Sequence, residues 1–376
     1  MKKLFIFGST GDLVKRKVLP ALEFFEDIKV ILLGRKDLNN ESFNKNYCTN
    51  CSEELKKRLN YKKINFEESY CNACLRDIPE NETAYFYISL PPNLILPVLK
   101  ELSYLKKSRL SIKILIEKPL GNNLLEAIKI QEFIEENDLG EDIFFADHYL
   151  FKEGFKEFLS FYDNSIKKTN KGFEKLEIVS LEEEGINNRV YYDDVGAIKD
   201  MIQSHFMDIL MKILEKERHD LLREILNLEQ DYNAKGKIER FYDEIIEGYK
   251  LIIEKMIEIR LIKIGQYKNY EKEINKKSDT ETYAKINFLI KNKSNKIKEI
   301  TFETGKSLDK KESYLNVDNK KFYLDKGKNP YFYMFDKFFN EKREDFPKIE
   351  EIIFSWAFIE KVTGEIKKSR IILEKY

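Results

Sequence analysis

Apolar residues along the first 150 positions fall in short blocks separated by amphipathic stretches. Leu4–Phe7 reads as a buried strand, Asp12–Phe25 as a helix and Lys29–Leu33 as a second strand. Thr83–Leu90, Ser111–Glu117 and Asp142–Asp147 are further blocks of strand length, with helical stretches such as Asn93–Leu105 and Leu124–Glu136 between them. Strands alternating with helices predict parallel βαβ units and a doubly wound sheet, because each parallel pair needs a long crossover. The pattern then changes. Helical periodicity runs from Lys199 to about Ile259, and strand-like segments such as Ala284–Ile290 and Glu299–Thr304 follow.

With 376 residues the chain is long enough for two domains with sizeable cores. Lys+Arg and Asp+Glu both number 66, so no net basic field favours general nucleic-acid binding. The charges are mixed along the chain, as on solvated helix faces. No apolar run approaches the ~18–20 residues of a membrane-spanning helix. The opening Met1–Thr10 resembles a signal peptide only briefly: its apolar stretch ends after four residues at a glycine, so it reads as a first strand. A cytoplasmic protein is the expectation.

Gly8 and Gly11 follow the first strand and precede the first helix, where a doubly wound sheet binds ligands at the carboxyl ends of its strands. Free N–H groups at a helix start suit a pyrophosphate. An ordinary strand–helix connection is the plain alternative. Nicotinamide adenine dinucleotide folds usually place an acid after the second strand for the ribose hydroxyls; here Gly34-Arg35-Lys36 follows. A guanidinium there suits a 2′-phosphate, hence NADP, although a solvated loop arginine would look the same.

Five stretches carry a resemblance: Gly8–Lys17 (GSTGDLVKRK), Ile116–Gly121 (IEKPLG), Asp147–Glu153 (DHYLFKE), Tyr191–His205 (YYDDVGAIKDMIQSH) and Thr304–Leu308 (TGKSL). Together, and in this order, they resemble the glucose-6-phosphate dehydrogenase family, with smaller matches at Leu90–Pro92, Gly265–Tyr267, Thr280–Tyr283 and Phe354–Phe358. The family's loop has two glycines followed by aspartate, so Asp12 belongs to the pattern; by helix-capping logic it would take up helix N–H groups. The resemblance implies α/β plus α+β architecture. A doubly wound parallel dinucleotide-binding sheet (residues 1–146) would be followed by a substrate-binding domain with a large mainly antiparallel sheet (147–376). It implies oxidation of glucose 6-phosphate at C1 to 6-phosphogluconolactone with hydride transfer to NADP, the entry step of the pentose phosphate pathway.

Removing a hydride from a hemiacetal carbon requires a base for the C1 hydroxyl proton, and neutral imidazole suits it. Of three histidines, the motif match makes His205 the base, with Asp147 orienting it. His148, Tyr149 and Lys152 match the family's phosphate ligands, where charge-assisted contacts are strong. Lys118 matches a lysine between sugar and cofactor, before Pro119, whose peptide bond the family often has in cis. Glu182, Asp200 and Lys306 match positions that bind sugar hydroxyls, with a register slip open within Glu182–Glu184. Gly8, Gly11, Asp12, Lys17, Arg35 and Lys118 are the cofactor candidates. His219 reads as a surface helix residue.

The chain departs from the family in length, over about a hundred residues being missing, chiefly in the second domain. Phe151, Glu303 and Ala146 stand where the family has glycine, arginine and arginine. The family makes a homodimer through the second-domain sheet, and a trimmed sheet bears on that assembly. Two rivals remain: a sugar or polyol oxidoreductase of the inositol-dehydrogenase kind, and a non-catalytic sensor of sugar phosphate or NADP.

All four cysteines fall in two pairs, Cys48/Cys51 and Cys71/Cys74, spaced C-x2-C-x19-C-x2-C. Such spacing suits a tetrahedral structural zinc ion. An iron–sulfur cluster, reversible disulfides or four unconnected small core residues are the alternatives.

Overall fold

The computed structural model describes residues 2–65, 78, 82–108, 111–166, 172–187, 189–234, 242–292 and 296–376. The chain forms two compact units: Met1–Phe151 with Lys328–Lys348, and Lys152–Gly327 with Ile349–Tyr376. None of the described helices is long and apolar enough to cross a membrane.

The first unit is built on six parallel strands: β1 (Lys2–Phe7), β2 (Ile28–Gly34), β3 (Leu59–Lys63), β4 (Thr83–Ile88), β5 (Ser111–Glu117) and β6 (Ile143–Ala146), in the order β3-β2-β1-β4-β5-β6. Leu4, Phe5, Ile6 and Phe7 all have no exposed surface, as expected where a parallel sheet is covered on both faces. The helix expected over Asp12–Phe25 is divided: a π-helical turn spans Val14–Val18 and an α-helical turn Leu19–Leu22. Pro20 supplies the reason, since it has no N–H to continue an α ladder.

An aromatic helix, Pro330–Phe339, belongs to this unit although it comes from late in the chain. Asn329 starts it by accepting from the Tyr331 N–H, and Pro330 occupies the first turn, where no N–H is needed. Phe335 packs edge-on to Tyr87, Phe338 to Tyr85 and Phe144, and Phe339 to Tyr85 and Phe25, all with centroids 5.2–5.5 Å apart. The sequence reading contained no element here.

The second unit holds a seven-stranded mixed sheet: β7 (Lys175–Leu181), β8 (Ile257–Gln266), β9 (Tyr283–Lys291), β10 (Ile297–Gly305), β11 (Glu312–Val317), β12 (Lys320–Tyr323) and β13 (Leu373–Lys375), in the order β12-β11-β7-β10-β9-β8-β13. Neighbours are antiparallel except β7–β10 and β8–β13. Ala284, Ile286, Phe288 and Ile290 alternate inward along β9, and Phe288 meets Phe302 and Phe358. The Ile198–Phe206, Tyr242–Met256 and Ile349–Lys368 helices pack against this sheet. Alternate positions carry polar pairs instead: Lys285 forms an ion pair with Glu303 at 2.8 Å, and the Asn316 amide donates to Glu177 at 2.7 Å. The helical expectation up to Ile259 overshoots, because β8 begins at Ile257.

His219 is a correction. It is buried, in the turn between the Met207–Glu217 and Asp220–Ala234 helices, where Arg218 adopts φ +52°. Its Nδ1 accepts from the Leu221 N–H, and burial, with Lys298 adding to it, pushes the imidazole down to about 4. The left-handed residue before it turns the side chain inward, so it is no surface helix residue.

Phe338→Ala is expected to cost the protein about 3–5 kcal/mol, the usual range for a buried phenylalanine that leaves a cavity. Denaturant unfolding measures it, and a loss under ~1 kcal/mol would mean that the helix does not hold the sheet.

Candidate active site

Parallel register sets the site in the first unit. Phe7 pairs with Ile88 and Ile88 with Ile116, while Glu117 pairs with Ala146. The next residues therefore leave adjacent strand ends together: Gly8 and Ser89, Lys118, and Asp147-His148. Gly8 has φ +79°, and a Cβ there would lie 2.0 Å from the Ser89 carbonyl oxygen. Only glycine fits. The Gly11 N–H closes the loop onto the Gly8 carbonyl at 2.9 Å. A tight turn between a strand end and a helix start, with no side chain to fill it, fits a dinucleotide pyrophosphate. Arg35 and Lys17 are exposed. Asp12 does not cap the helix as expected; its carboxylate pairs with Arg16 at 2.5 Å, one turn along. Lys36, passed over in the sequence, donates to the Tyr47 hydroxyl at 2.6 Å.

Lys118 follows β5 with its side chain buried, and the Lys118–Pro119 bond is cis. Its Nζ lies 3.6 Å from Asp147 Oδ2. Asp147 has no exposed surface, and its Oδ1 accepts from the Tyr149 N–H at 2.9 Å. His148 is half-buried and stacks on Tyr331, centroids 5.3 Å apart and planes 21° apart; Tyr149 is buried beside it. The first unit thus brings Lys118, Asp147, His148 and Tyr149 to one group of strand ends.

A second group forms within the second unit. Parallel β7 and β10 finish level, Gly305 opposite Leu181, so Glu182 and Lys306 emerge side by side. Lys306 is buried, 2.7 Å from Glu182 and 3.6 Å from Asp200, with its ammonium over the Tyr192 ring at 5.3 Å. Glu182, not its neighbours, makes this pair. Asp200 and His205 share the π-helical segment Ile198–Phe206. In an α-helix, residues five apart stand about 140° apart around the axis. The i→i+5 turn brings them toward one face, and such turns concentrate at functional sites. His205 is half-buried. Lys152 is buried and paired with Asp325 at 2.6 Å.

The zinc expectation fails at its first pair. Cys48 and Cys51 are joined by a disulfide, and bonded sulfurs offer no thiolates to a metal. Cys71 and Cys74 lie outside the described residues.

Glu117, the residue before Lys118, is bonded by two tyrosines, and none of the three was expected in the site. The Tyr87 hydroxyl donates to Glu117 Oε1 at 2.5 Å, and Tyr331 hydrogen-bonds the same carboxyl. Glu117 is half-buried. Loss of hydration, chiefly, pushes its carboxyl up to about 7, against the lowering effect of the two hydroxyls. The EKP stretch contained the signal, a carboxylate ending an apolar strand.

A parallel βαβ sheet with a glycine turn at its first strand end, beside a lysine and an aspartate–histidine pair, defines a dinucleotide-dependent dehydrogenase architecture. The sequence models of glucose-6-phosphate dehydrogenase match both parts of the chain, the NAD binding domain over residues 5–157 and the C-terminal domain over 165–325. The chain belongs to the glucose-6-phosphate dehydrogenase family. Glucose-6-phosphate 1-dehydrogenase of Helicobacter pylori strain J99 is 28% identical over 303 residues, 75% of this chain and 67% of that protein. The Buchnera aphidicola (subsp. Schizaphis graminum) enzyme is 29% identical over 328 residues, 77% and 64% respectively. This chain therefore spans roughly two thirds of the length of these relatives. A solved glucose-6-phosphate dehydrogenase, in complex with its substrate glucose-6-phosphate, shares the fold at TM-score 0.75 and 19% identity, covering 100% of this chain and 94% of that one.

The raised Glu117 carboxyl makes folding stability depend on pH. A carboxyl that keeps its proton up to about 7 in the native state releases it near 4.3 when unfolded. Between those values the native state binds more protons, so stability falls as pH rises. Glu117→Gln removes this dependence. Its melting temperature relative to the parent is expected to climb between about pH 5 and pH 7 and to level off above that. A constant difference across that range would contradict the assignment.

Proposed function

We propose that this protein oxidises glucose 6-phosphate at C1 to 6-phosphogluconolactone, with NADP as hydride acceptor. The family match across both units carries the reading. The two residue groups at strand ends support it, because they hold the side-chain types that the reaction requires.

His205 acts as general base and takes the C1 hydroxyl proton. Asp147 orients the imidazole and balances its charge once protonated, the division of labour in histidine–carboxylate pairs generally. His148, Tyr149 and Lys152 receive the phosphate dianion; Lys152 then exchanges Asp325 for a stronger anionic partner. Glu182, Asp200 and Lys306 hold the sugar hydroxyls. A sugar lacking one of those hydroxyls leaves a polar group unpaired, which is how such sites discriminate. Gly8, Gly11 and the helix start after them would hold the pyrophosphate, Lys17 and Lys118 would lie along the cofactor, and Arg35 would take the 2′-phosphate. When bound, the nicotinamide accepts the hydride that leaves C1.

Association of two copies through the second-unit sheet is the assembly the family suggests. A homodimer is then the expected result in analytical ultracentrifugation, and a monomer at every protein concentration would overturn it.

The activity is tested by NADP reduction with glucose 6-phosphate, with glucose and inositol as controls; turnover of either control alone would redirect the reading. His205→Asn should lower kcat about 10²–10⁴-fold while substrate affinity changes little, since proton transfer belongs to the transition state. A variant with half the parent rate would remove His205 from that role. Arg35→Ala should weaken NADP by about 10–100-fold and NAD hardly at all, the difference of one charge-assisted contact. Equal losses for both cofactors would make Arg35 an ordinary loop charge.

A further inference from the structure

Glu117, Tyr87 and Tyr331 have no part in the chemistry above, yet they adjoin two of its residues. Tyr87 and Tyr331 are buried. Both hydroxyls reach the Glu117 carboxyl, and Tyr331 also bonds Tyr87. Tyr87 extends the chain to the Ser89 side chain, and the Ser89 carbonyl is the atom that Gly8 passes without room for a Cβ. At the other end the Tyr331 ring is the surface on which His148 stacks. Lys118 is the next residue after Glu117, with its ammonium toward Asp147. A hydrogen-bonded chain thus runs from Ser89, beside the glycine turn, to Glu117, the residue before Lys118, and to Tyr331, the ring on which His148 stacks.

We propose that Glu117, Tyr87 and Tyr331 are positioning residues that seat His148 and Lys118 for the sugar phosphate. The inference rests on the reading of those two residues as ligands of glucose 6-phosphate. The charged and titratable groups facing Glu117 are Tyr87, Tyr331, Lys118 and Asp147. As a carboxylate, Glu117 accepts a hydrogen bond through the single hydroxyl proton of each tyrosine, which leaves none for the contact between the two hydroxyls. As a carboxylic acid it must donate one proton, so one of those hydrogen bonds reverses direction. The seat of Tyr331, and with it His148, therefore depends on the protonation of Glu117. Because the carboxyl is raised to about 7, the change falls near neutral pH.

The test is calorimetric binding of glucose 6-phosphate to the full-length protein, with NADP binding measured in parallel. Tyr331→Phe keeps the stacking ring and removes the hydroxyl; Tyr331→Leu removes both. The first should raise the dissociation constant for the sugar phosphate about fivefold, the size of one ordinary hydrogen bond, and the second more. Affinity for NADP should fall less than affinity for the sugar phosphate in both variants, because the glycine turn carries most of the cofactor contact, whereas a general loss of structure would lower the two alike. The ratio of Glu117→Gln to parent affinity should vary between pH 6 and pH 8; the ligand's own ionisation cancels in that ratio. A parent protein that does not bind glucose 6-phosphate overturns both this inference and the ligand reading. A parent that binds it, with Tyr331→Phe and Glu117→Gln matching it at every pH, overturns this inference alone.

Discussion

The first unit depends on an aromatic contact between distant parts of the chain. Its parallel sheet is apolar on both faces, and such a sheet is stable only when both are covered. The Pro330–Phe339 helix covers part of one face with Phe335, Phe338 and Phe339, against Tyr85, Tyr87 and Phe144. The helix also delivers Tyr331 to the strand ends. One element therefore supplies both packing and a member of the candidate site. The glycine turn, the lysine after β5 and the aspartate–histidine pair after β6 are where they are because β1, β4, β5 and β6 are parallel and in register.

Five strands of the first unit were legible because apolar runs four to eight residues long, bounded by turns, leave little choice, and the strand Ser111–Glu117 and the helix Leu124–Glu136 match to the residue; β3, Leu59–Lys63, was not, because its polar residues make no apolar run. Motif identity singled out Lys118 and Asp147, which the fold brings within 3.6 Å of each other. What escaped the sequence was long-range. The aromatic helix has ordinary start signals in Asn329-Pro330, but nothing local says that it belongs with a sheet two hundred residues earlier. The π turns at Val14–Val18 and Ile198–Phe206 were invisible because their cause is partly tertiary. Asp12 showed why capping logic is incomplete, since Arg16 one turn away offered a charged partner. For His219, a polar name and polar neighbours pointed outward, whereas a left-handed residue before it turned the ring inward.

The second unit solves a related problem with different geometry. A mainly antiparallel sheet would separate the ends of successive strands, but the parallel step between β7 and β10 makes these two strands finish together. Glu182 and Lys306 are adjacent for that reason. The backbone carbonyl of Lys306 is in turn held by the Tyr376 hydroxyl at 2.7 Å, and Tyr376 follows the short strand β13. Register, not sequence proximity, builds this group as it builds the other.

The two-part composition of the first unit has a consequence for biosynthesis. A ribosome releases residues 2–151 long before residues 328–348, so the sheet forms while part of its apolar face has no cover. During that interval the emerging chain exposes Tyr85, Tyr87 and Phe144 together, a surface suited to chaperone capture or to premature self-association. Completion of the dinucleotide unit must wait until nearly the whole second unit has been translated.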